Sequence, residues 1–487
     1  METKNDGKVG LGGLIALIVG SSIGSGIFAL PATVTGGANP AGILIGWAIV
    51  GIGMLSLVSV YSNLTLQQSN IDDGIYGWSR NAFGHLGGFI GAFGHGAGDA
   101  IGNASYLVVL FSALGSFGIF DYFGKGTTWP AIICASAVLW IVNYFVLRGV
   151  KSSTRLNNFT TIIKIIPIVL FIVLAIIQFN PHIFMHSFAS TQVMSVATGK
   201  WTHVSLFNQS KTVLLATMWT LIGLESGTIF ATRARKLADV AKATIIGALI
   251  VVFLLVGTTV LALGLMAPSK ISQLHDPSMA GLMTHMVGSW GGTLIDICLI
   301  LAVLGALIAW VNLSAEEVRL AGRGGSAAKW LNGLNQNEAP RNSLLITTGI
   351  TQVLMIIAGI DKSSYVTLLS FSTSLALIPY LFSSIYALKS VIVGTGFANR
   401  STQQRVYSGV TACIAILFVF FMIYGAGFRY LLLAAIVWSL GLPFFFKGKR
   451  EWHSHFNKSE IVVCSVIFLM ALVGIYALVT GSIQFDA

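Results

Sequence analysis

Few residues in this sequence of 487 could do chemistry, and the most regular group is a polar triplet. His95, Asp99 and Asn103 recur every four residues, so in a helix they line one face. A carboxylate on that face favours a cation or a hydrogen-bond donor, and imidazole, phenol, ammonium and guanidinium groups all qualify. The alternative is that His95 and Asp99 simply satisfy each other as a helix pair. The spacing alone leaves both roles open.

The surroundings of these residues are strongly apolar. Hydrophobic residues make up 55% of the chain and charged residues 9%, whereas an ordinary soluble domain carries roughly 25% charged residues. Mean hydropathy is +0.82. The composition excludes a soluble domain and a disordered chain, and predicts an all-α polytopic membrane protein. The net charge of +11 is spread over short loops, so no nucleic-acid partner is predicted.

About thirteen runs are long enough to cross a bilayer as helices. They lie near 11–37, 41–66, 84–116, 129–147, 157–178, 211–231, 241–266, 288–315, 343–360, 364–389, 405–426, 428–446 and 460–482. With the N-terminus in the cytoplasm, 21 of the 28 Lys and Arg residues fall on the inner side, as the positive-inside rule requires. The C-terminus is then external, and residues 1–487 form a single membrane transport domain.

Ionisable residues inside such runs are costly and are functional candidates. Besides His95 and Asp99, they are Lys164, Glu225 and Asp296. A buried lysine can serve a structural role or carry a proton. Asp296, near the outer start of the eighth run, is expected to be a solvated helix-end charge.

Two further acids lie near the predicted cytoplasmic end of the eighth run. Glu316 and Glu317 are expected to pair there with Arg319 or Arg323. A direct role of either glutamate in a ligand site is not favoured.

Two runs contain matched interruptions. The first reads GSSIGSGIF over 20–28, and the sixth reads WTLIGLESG over 219–227. Glycine-mediated helix packing is one explanation, but matched breaks favour a transporter site on discontinuous helices. Amides around Ser25 and Gly26 could hold a carboxylate, and carbonyls near Ile23 and Ile222 could accept from an ammonium group.

The sequence resembles the amino acid–polyamine–organocation superfamily, and within it the basic amino acid/polyamine antiporters. The resemblance rests on GSSIGSGIFALP from Gly20, WTLIGLES from Trp219, ATRARKLADVAKATIIG from Ala231 and STSLALIPYLFSSIYALK from Ser372. It implies a five-plus-five inverted repeat (the LeuT-like fold) with broken helices 1 and 6. The first repeat would cover 11–178, the second 211–389, and peripheral helices 11–13 would cover 405–482.

The resemblance also implies roles for residues that match the family's substrate site. Ser25 and Gly26 match a carboxylate-binding turn, and Trp219 matches an aromatic that caps substrate. Ile222 matches a carbonyl that receives the substrate amine, and Asn103 matches a third-span asparagine that contacts substrate.

Other matches concern gating and coupling. Trp310 matches an aromatic gate, and Glu225 matches an acid linked to gating or proton sensitivity. Lys164 stands where sodium-driven relatives hold a cation. Together with these three residues, His95 is a candidate for gating or proton coupling.

The expected function is an antiporter that exchanges an external amino acid for its internal decarboxylated amine by alternating access. The glycine-rich segment from Gly94 to Asp99 would suit a compact ring, so histidine/histamine is the first choice of substrates. Arginine or lysine/ornithine exchange, tyrosine/tyramine exchange and a proton-coupled importer are alternatives. The sequence predicts no enzyme, cofactor or metal.

The expected location is a bacterial plasma membrane, crossed several times by the chain. The predicted partners are small-molecule amino acid and amine substrates and the lipid bilayer. A homodimer is one candidate assembly.

Overall fold

The structure is a computed structural model that describes residues 9–67, 73–149, 154–195, 199–224, 234–361, 365–398 and 400–483, with the backbone alone for 154–160 and 237. The helices are α1 (Leu11–Ser22), α2 (Gly26–Thr35), α3 (Pro40–Gln67), α4 (Gly74–Gly115), α5 (Trp129–Leu147), α6 (Thr154–Ile177), α7 (Pro181–His186), α8 (Leu206–Trp219), α9 (Leu237–Ala262), α10 (Pro268–Ile271), α11 (Ser278–Val287), α12 (Ser289–Arg323), α13 (Arg341–Asp361), α14 (Tyr365–Val393), α15 (Thr402–Glu451) and α16 (Lys458–Val479). Two short 3-10 helices span Gly118–Phe123 and Lys329–Asn332. Strands β1 (Gln192–Met194) and β2 (Trp201–His203) pair antiparallel, with Val193 opposite Thr202.

This architecture confirms the predicted polytopic helical membrane fold. In the described part of the chain, nine helices are long and apolar enough to cross a membrane, or ten if α1 and α2 count as one bent span. The 50-residue helix α15 covers two predicted runs and contains a non-helical residue, Gly427, at φ 79°. The count of thirteen spans and the inverted repeat stay predictions.

The first predicted break is confirmed. Helix α1 ends at Ser22, α2 begins at Gly26, and their axes differ in direction by 48°. In the sixth predicted span, α8 ends at Trp219 and residues 220–224 form a turn. The continuation of that span, including Glu225, lies outside the described residues.

Helix α4 lies at the centre of the bundle, where 94% of its most apolar window is buried. It packs mainly on α14 and α12. Its glycines permit this close packing, because a Cβ at Gly94 would lie 2.5 Å from the Trp438 indole nitrogen and one at Gly96 would lie 2.6 Å from the Ser314 carbonyl oxygen. Neighbouring helices therefore occupy the space that the sequence analysis assigned to a compact ring.

The loop between α10 and α11 is anchored to the end of α4 on the predicted outer face. The Ser112 hydroxyl donates to the Asp276 carbonyl oxygen at 2.8 Å. Asp276 is half-buried. Burial raises the pKa of Asp276 to about 7, and Lys125 lowers it in part.

We expect the Asp276 carboxyl to make thermal stability depend on pH. Its pKa in the folded state is raised above the ordinary value of about 3.9, so its contribution to stability is full below about pH 4 and is lost as the pH rises through about 7. The apparent Tm of the purified protein should therefore fall less between about pH 5 and 8 for Asp276→Asn than for the wild type. The exposed Asp121 on the same predicted face supplies the control, and Asp121→Asn should behave as the wild type. Equal pH slopes for the wild type and Asp276→Asn would contradict this account.

Candidate functional site

The turn after α8 lies against the break between α1 and α2. The Ser21 hydroxyl donates to the Gly223 carbonyl oxygen at 3.5 Å. Gly223 has φ 105°, and a Cβ there would lie 3.1 Å from the Ser21 carbonyl oxygen and 3.2 Å from the Trp310 ring. Both the left-handed backbone and the crowding require glycine at this position. The turn after α8 can therefore approach the break between α1 and α2 closely.

The N-terminus of α2 faces the end of α8. A Cβ on Gly26 would lie 2.6 Å from Thr220 and 2.7 Å from the Trp219 ring. Ser25 is 1% exposed, and its hydroxyl lies 3.3 Å from the Tyr365 hydroxyl. A helix N-terminus presents backbone amides and the positive end of its dipole, so this turn is suited to a carboxylate.

A small cavity lies beside the break between α1 and α2 and the turn after α8. Five of the residues that line it were predicted for the site: Asp99, Asn103, Trp219, Ile222 and Trp310. Among the described residues that line the cavity, Asp99 alone carries a carboxylate. The other lining residues contribute hydroxyl, amide and aromatic groups, so the negative charge of the wall lies at Asp99.

Four further lining residues were not predicted: Ser22, Gly102, Tyr106 and Ser372. Tyr106 follows Asn103 by three residues, so extension of the helical pattern of His95, Asp99 and Asn103 would have found it. Ser372 comes from a distant helix, and no spacing in the sequence connects it to the triplet.

Three aromatic rings adjoin one another from the cavity wall to the Ser25–Tyr365 contact. The Trp219 ring lies 5.6 Å from that of Tyr106 and 6.1 Å from that of Tyr365, edge-to-face in both cases. All three side chains are at most 8% exposed.

A charged cluster on α4 begins at Asp99, one helical turn before Asn103, and includes His95 one turn before that. His95 Nδ1 is 2.7 Å from Glu317 Oε2 and 3.6 Å from Asp99 Oδ2. The His95–Asp99 helix pair is therefore present, but Glu317 joins it. The prediction that Glu317 pairs with Arg319 or Arg323 is wrong, because its position on α12 faces α4 and not the helix end.

The neighbouring charges on α12 have different partners. Glu316 does pair with Arg319, as predicted, and Arg319 also donates to the Asn332 side chain at 2.9 Å. Arg323 pairs with Asp73.

The geometry of the charged cluster fits a hydrogen bond better than a metal ion. Two ligands of a tetrahedral ion with bonds of about 2 Å lie roughly 3.3 Å apart. The separation of 2.7 Å between His95 Nδ1 and Glu317 is shorter and is typical of a charge-assisted hydrogen bond.

Lys164 lies at the first break, away from the wall of the cavity. The residue is 2% exposed, and its ammonium donates to the Gly20 carbonyl oxygen at 3.1 Å, so it satisfies a backbone group next to the break. Ile23, also 2% exposed, lies within the break and donates its N–H to the Val19 carbonyl oxygen at 2.9 Å.

The expectation for Asp296 is wrong. The residue is 6% exposed, and its carboxylate accepts from the Ser116 hydroxyl at 2.7 Å. The end of α4 covers the start of α12 at this point, which a sequence reading of one helix end does not show.

Comparison with known proteins gives the family. The amino acid permease family model matches residues 9–466. The chain is 36% identical to an arginine/ornithine antiporter of Pseudomonas aeruginosa, over 99% of both chains. It is 34% identical to a putative arginine/ornithine antiporter of Escherichia coli, over 97% of this chain and 99% of that one. It is 31% identical to an L-lysine transport protein of Corynebacterium glutamicum, over 97% and 95% respectively.

These relatives are named for arginine, ornithine and lysine, so they support an alternative from the sequence analysis and not its first choice, histidine/histamine. The family match over residues 9–466 and the similarity to an antiporter over 99% of the chain indicate a transporter and not an enzyme. The chain belongs to the amino acid permease family of the amino acid–polyamine–organocation superfamily, as a multi-pass membrane transporter of the amino acid antiporter type.

Proposed function

We propose that this protein exchanges an external cationic amino acid, with arginine the first candidate, for an internal cationic product by alternating access. The observation that carries the proposal is the buried carboxylate of Asp99 in the wall of the cavity. The amino acid end of the substrate binds at the helix breaks, and its side-chain cation binds at Asp99.

The helix breaks supply complementary groups for the amino acid end. The amides at the start of α2, around Ser25 and Gly26, suit the α-carboxylate. The ammonium group needs acceptors, and the carbonyl oxygens of Ile23 and Ile222 are the candidates. Trp219 closes over the substrate because it packs directly against Gly26.

The other end of the cavity suits a planar cation. Asp99 offers a carboxylate, and Asn103 offers an amide on the same face of α4. Trp219 and Trp310 offer ring faces that stabilise a guanidinium by cation–π contact. Trp310 adjoins the second break at Gly223, so it is the candidate gate on the predicted cytoplasmic side.

Histidine/histamine exchange stays a competing substrate assignment, because imidazole is also a donor for Asp99. The sequence argument for this substrate pair was the small, glycine-rich segment before Asp99. Since Trp438 and Ser314 fill the space beside Gly94 and Gly96, that segment does not favour a compact ring over a longer side chain.

The charge of the returning product separates two forms of the exchange. Arginine and ornithine each carry one net positive charge, so their exchange moves no net charge. A decarboxylated amine lacks the carboxylate and carries one more, so its export in exchange for arginine moves one positive charge outward and is opposed by a negative interior by about 2.3 kcal/mol per 100 mV. A potassium diffusion potential, negative inside, imposed on proteoliposomes should therefore slow the exchange of external arginine for an internal amine and leave exchange for ornithine unchanged.

Proteoliposomes loaded with ornithine should take up labelled arginine much faster than empty proteoliposomes. The physical reason is that an obligatory exchanger reorients only with substrate bound. Histamine-loaded vesicles with labelled histidine form the parallel test. Uptake into empty vesicles driven by a pH gradient would favour the proton-coupled importer, and no acceleration by any internal cationic substrate would overturn the proposal.

Asp99→Asn should weaken arginine binding by about 2 kcal/mol, the contribution of a hydrogen bond to a charged group, or roughly 30-fold in Kd. Calorimetric titration of purified protein measures this change. The affinity for citrulline, the neutral analogue of arginine, should fall much less in the same variant. Asp296→Asn is the matched control, because Asp296 is buried but does not line the cavity. An unchanged Kd for arginine in Asp99→Asn would remove Asp99 from the site.

Gly26→Ala should reduce exchange roughly tenfold or more, because overpacking by one methyl group costs about 1–3 kcal/mol and displaces the Trp219 ring or Thr220. Initial rates of arginine/ornithine exchange measure the effect. Gly12→Ala, in the same predicted span, is the control, since a Cβ there meets nothing within 4 Å. Wild-type rates in Gly26→Ala would mean that the turn does not hold substrate tightly against Trp219.

A further inference from the structure

A second cavity lies on the predicted outer face, among the loops that follow the spanning helices. Its volume is about 980 Å³, which falls within the range of roughly 300–1,000 Å³ that small-molecule sites occupy. Its walls come from α7, from the chain between the end of α9 and α10, from β1 and β2, and from the end of α11. It shares no lining residue with the small cavity beside the break between α1 and α2.

Hydrogen bonds between the loops hold the walls of this outer cavity in place. The Asn180 side chain accepts from the His182 N–H at 2.9 Å and so caps the start of α7. The Asn180 N–H donates to the Gly264 carbonyl oxygen at 3.0 Å, which joins α7 to the end of α9. The Gln178 side chain donates to the Met286 carbonyl oxygen at 3.2 Å, which joins α6 to α11. The walls are therefore tied to the outer ends of α6 and α9.

Four basic side chains line the outer cavity: His182, His186, Lys270 and His285. Lys270 carries a positive charge, and an imidazole keeps at least one N–H donor in either protonation state. No Asp or Glu is among the described residues that line the cavity. Within that part of the chain, no ion pair involves any of the four bases. The cavity thus offers a positive charge and several donors without an acid to neutralise them.

Ser187 adds a further donor to the same wall. Its hydroxyl oxygen is buried and has no hydrogen-bond partner among the described residues, and the residue lines the cavity directly after His186. A buried hydroxyl without a partner costs free energy. An anion rich in oxygen atoms would accept a hydrogen bond from it and remove that cost.

The rest of the wall is apolar. Ile183, Leu265 and Met266 line the cavity beside the bases, together with the exposed Trp201. Leu265 follows soon after the end of α9, one of the helices that are long and apolar enough to span a membrane. Exposed tryptophans are typical of the membrane–water interface. The cavity therefore lies at the level of lipid headgroups and suits a ligand that has both an anionic and an apolar part.

We propose that this outer cavity binds the phosphate group of a phospholipid from the adjoining leaflet. Lys270 pairs with the phosphate charge, and the imidazole N–H groups and the Ser187 hydroxyl donate to its oxygens. The apolar wall contacts the glycerol and the start of the acyl chains. Inorganic phosphate offers the same charge and acceptors without the apolar part. The site is independent of the exchange reaction, because Lys270 repels a cationic amino acid.

Calorimetric titration of the purified, delipidated full-length protein with dihexanoyl phosphatidylglycerol tests the proposal. This short-chain lipid carries one phosphate, and saturable binding is expected. Lys270→Gln should weaken the Kd at least about tenfold, because a hydrogen bond between two charged groups is lost. Ser187→Ala should weaken it by a smaller factor. Lys270→Arg keeps the charge and should bind nearly as the wild type does.

Lys125→Gln is the matched control, because Lys125 is an exposed lysine on the same predicted face that does not line the cavity. Its Kd should equal that of the wild type. Dihexanoylglycerol, which has the same acyl chains and no phosphate, should not bind measurably. Inorganic phosphate should bind more weakly than the phospholipid and should also lose affinity in Lys270→Gln.

The remaining outcomes separate the two sources of phosphate and the failure of the site. Inorganic phosphate that binds as tightly as the phospholipid, with the same loss in Lys270→Gln, overturns the lipid as ligand and assigns the cavity to free phosphate. Phospholipid binding that is unchanged in both Lys270→Gln and Ser187→Ala overturns the proposal, as does the absence of binding by both phosphate compounds. Arginine exchange is measured separately, so neither result changes the proposed function.

Discussion

Backbone polar groups cannot be left unsatisfied inside a bilayer, and the whole site depends on how this chain meets that constraint at the first break. Helix α1 stops at Ser22, one turn short of α2, so the carbonyl groups near the end of α1 need donors from outside the helix. Lys164, from α6, donates to the Gly20 carbonyl oxygen. This bond satisfies one carbonyl group at the end of α1 beside the break.

Helix α4 connects the functions that surround this break. Along one face it places His95 in the charged cluster, Asp99 and Asn103 in the cavity wall, and Tyr106 against Trp219. Glycines of α4 allow it to pack closely against α12 and α15. One buried helix thereby carries the carboxylate proposed to bind the substrate cation and an aromatic ring that lines the cavity. A change of register along α4 would move all four side chains together.

Much of this arrangement follows from local pattern. The four-residue spacing of His95, Asp99 and Asn103 indicates a shared face, and the glycine clusters indicate breaks, since both depend on geometry within a single helix. Contacts between side chains of different helices cannot be predicted from such local patterns. Glu317 was assigned to an arginine on its own helix and Asp296 to solvent, because helix-end position was the only guide. In the fold, α4 covers both residues.

The sequence by itself determined the membrane class, the first break and the polar face of α4, because hydrophobicity, backbone freedom and helical periodicity are properties of short segments. The tertiary structure decided which groups meet. It brought Gly223 to Ser21, Tyr365 to Ser25 and Glu317 to His95, residues that lie roughly two hundred positions or more apart in the chain. No local pattern encodes such contacts, since they depend on the packing of whole helices and on the burial that makes each charge need a partner.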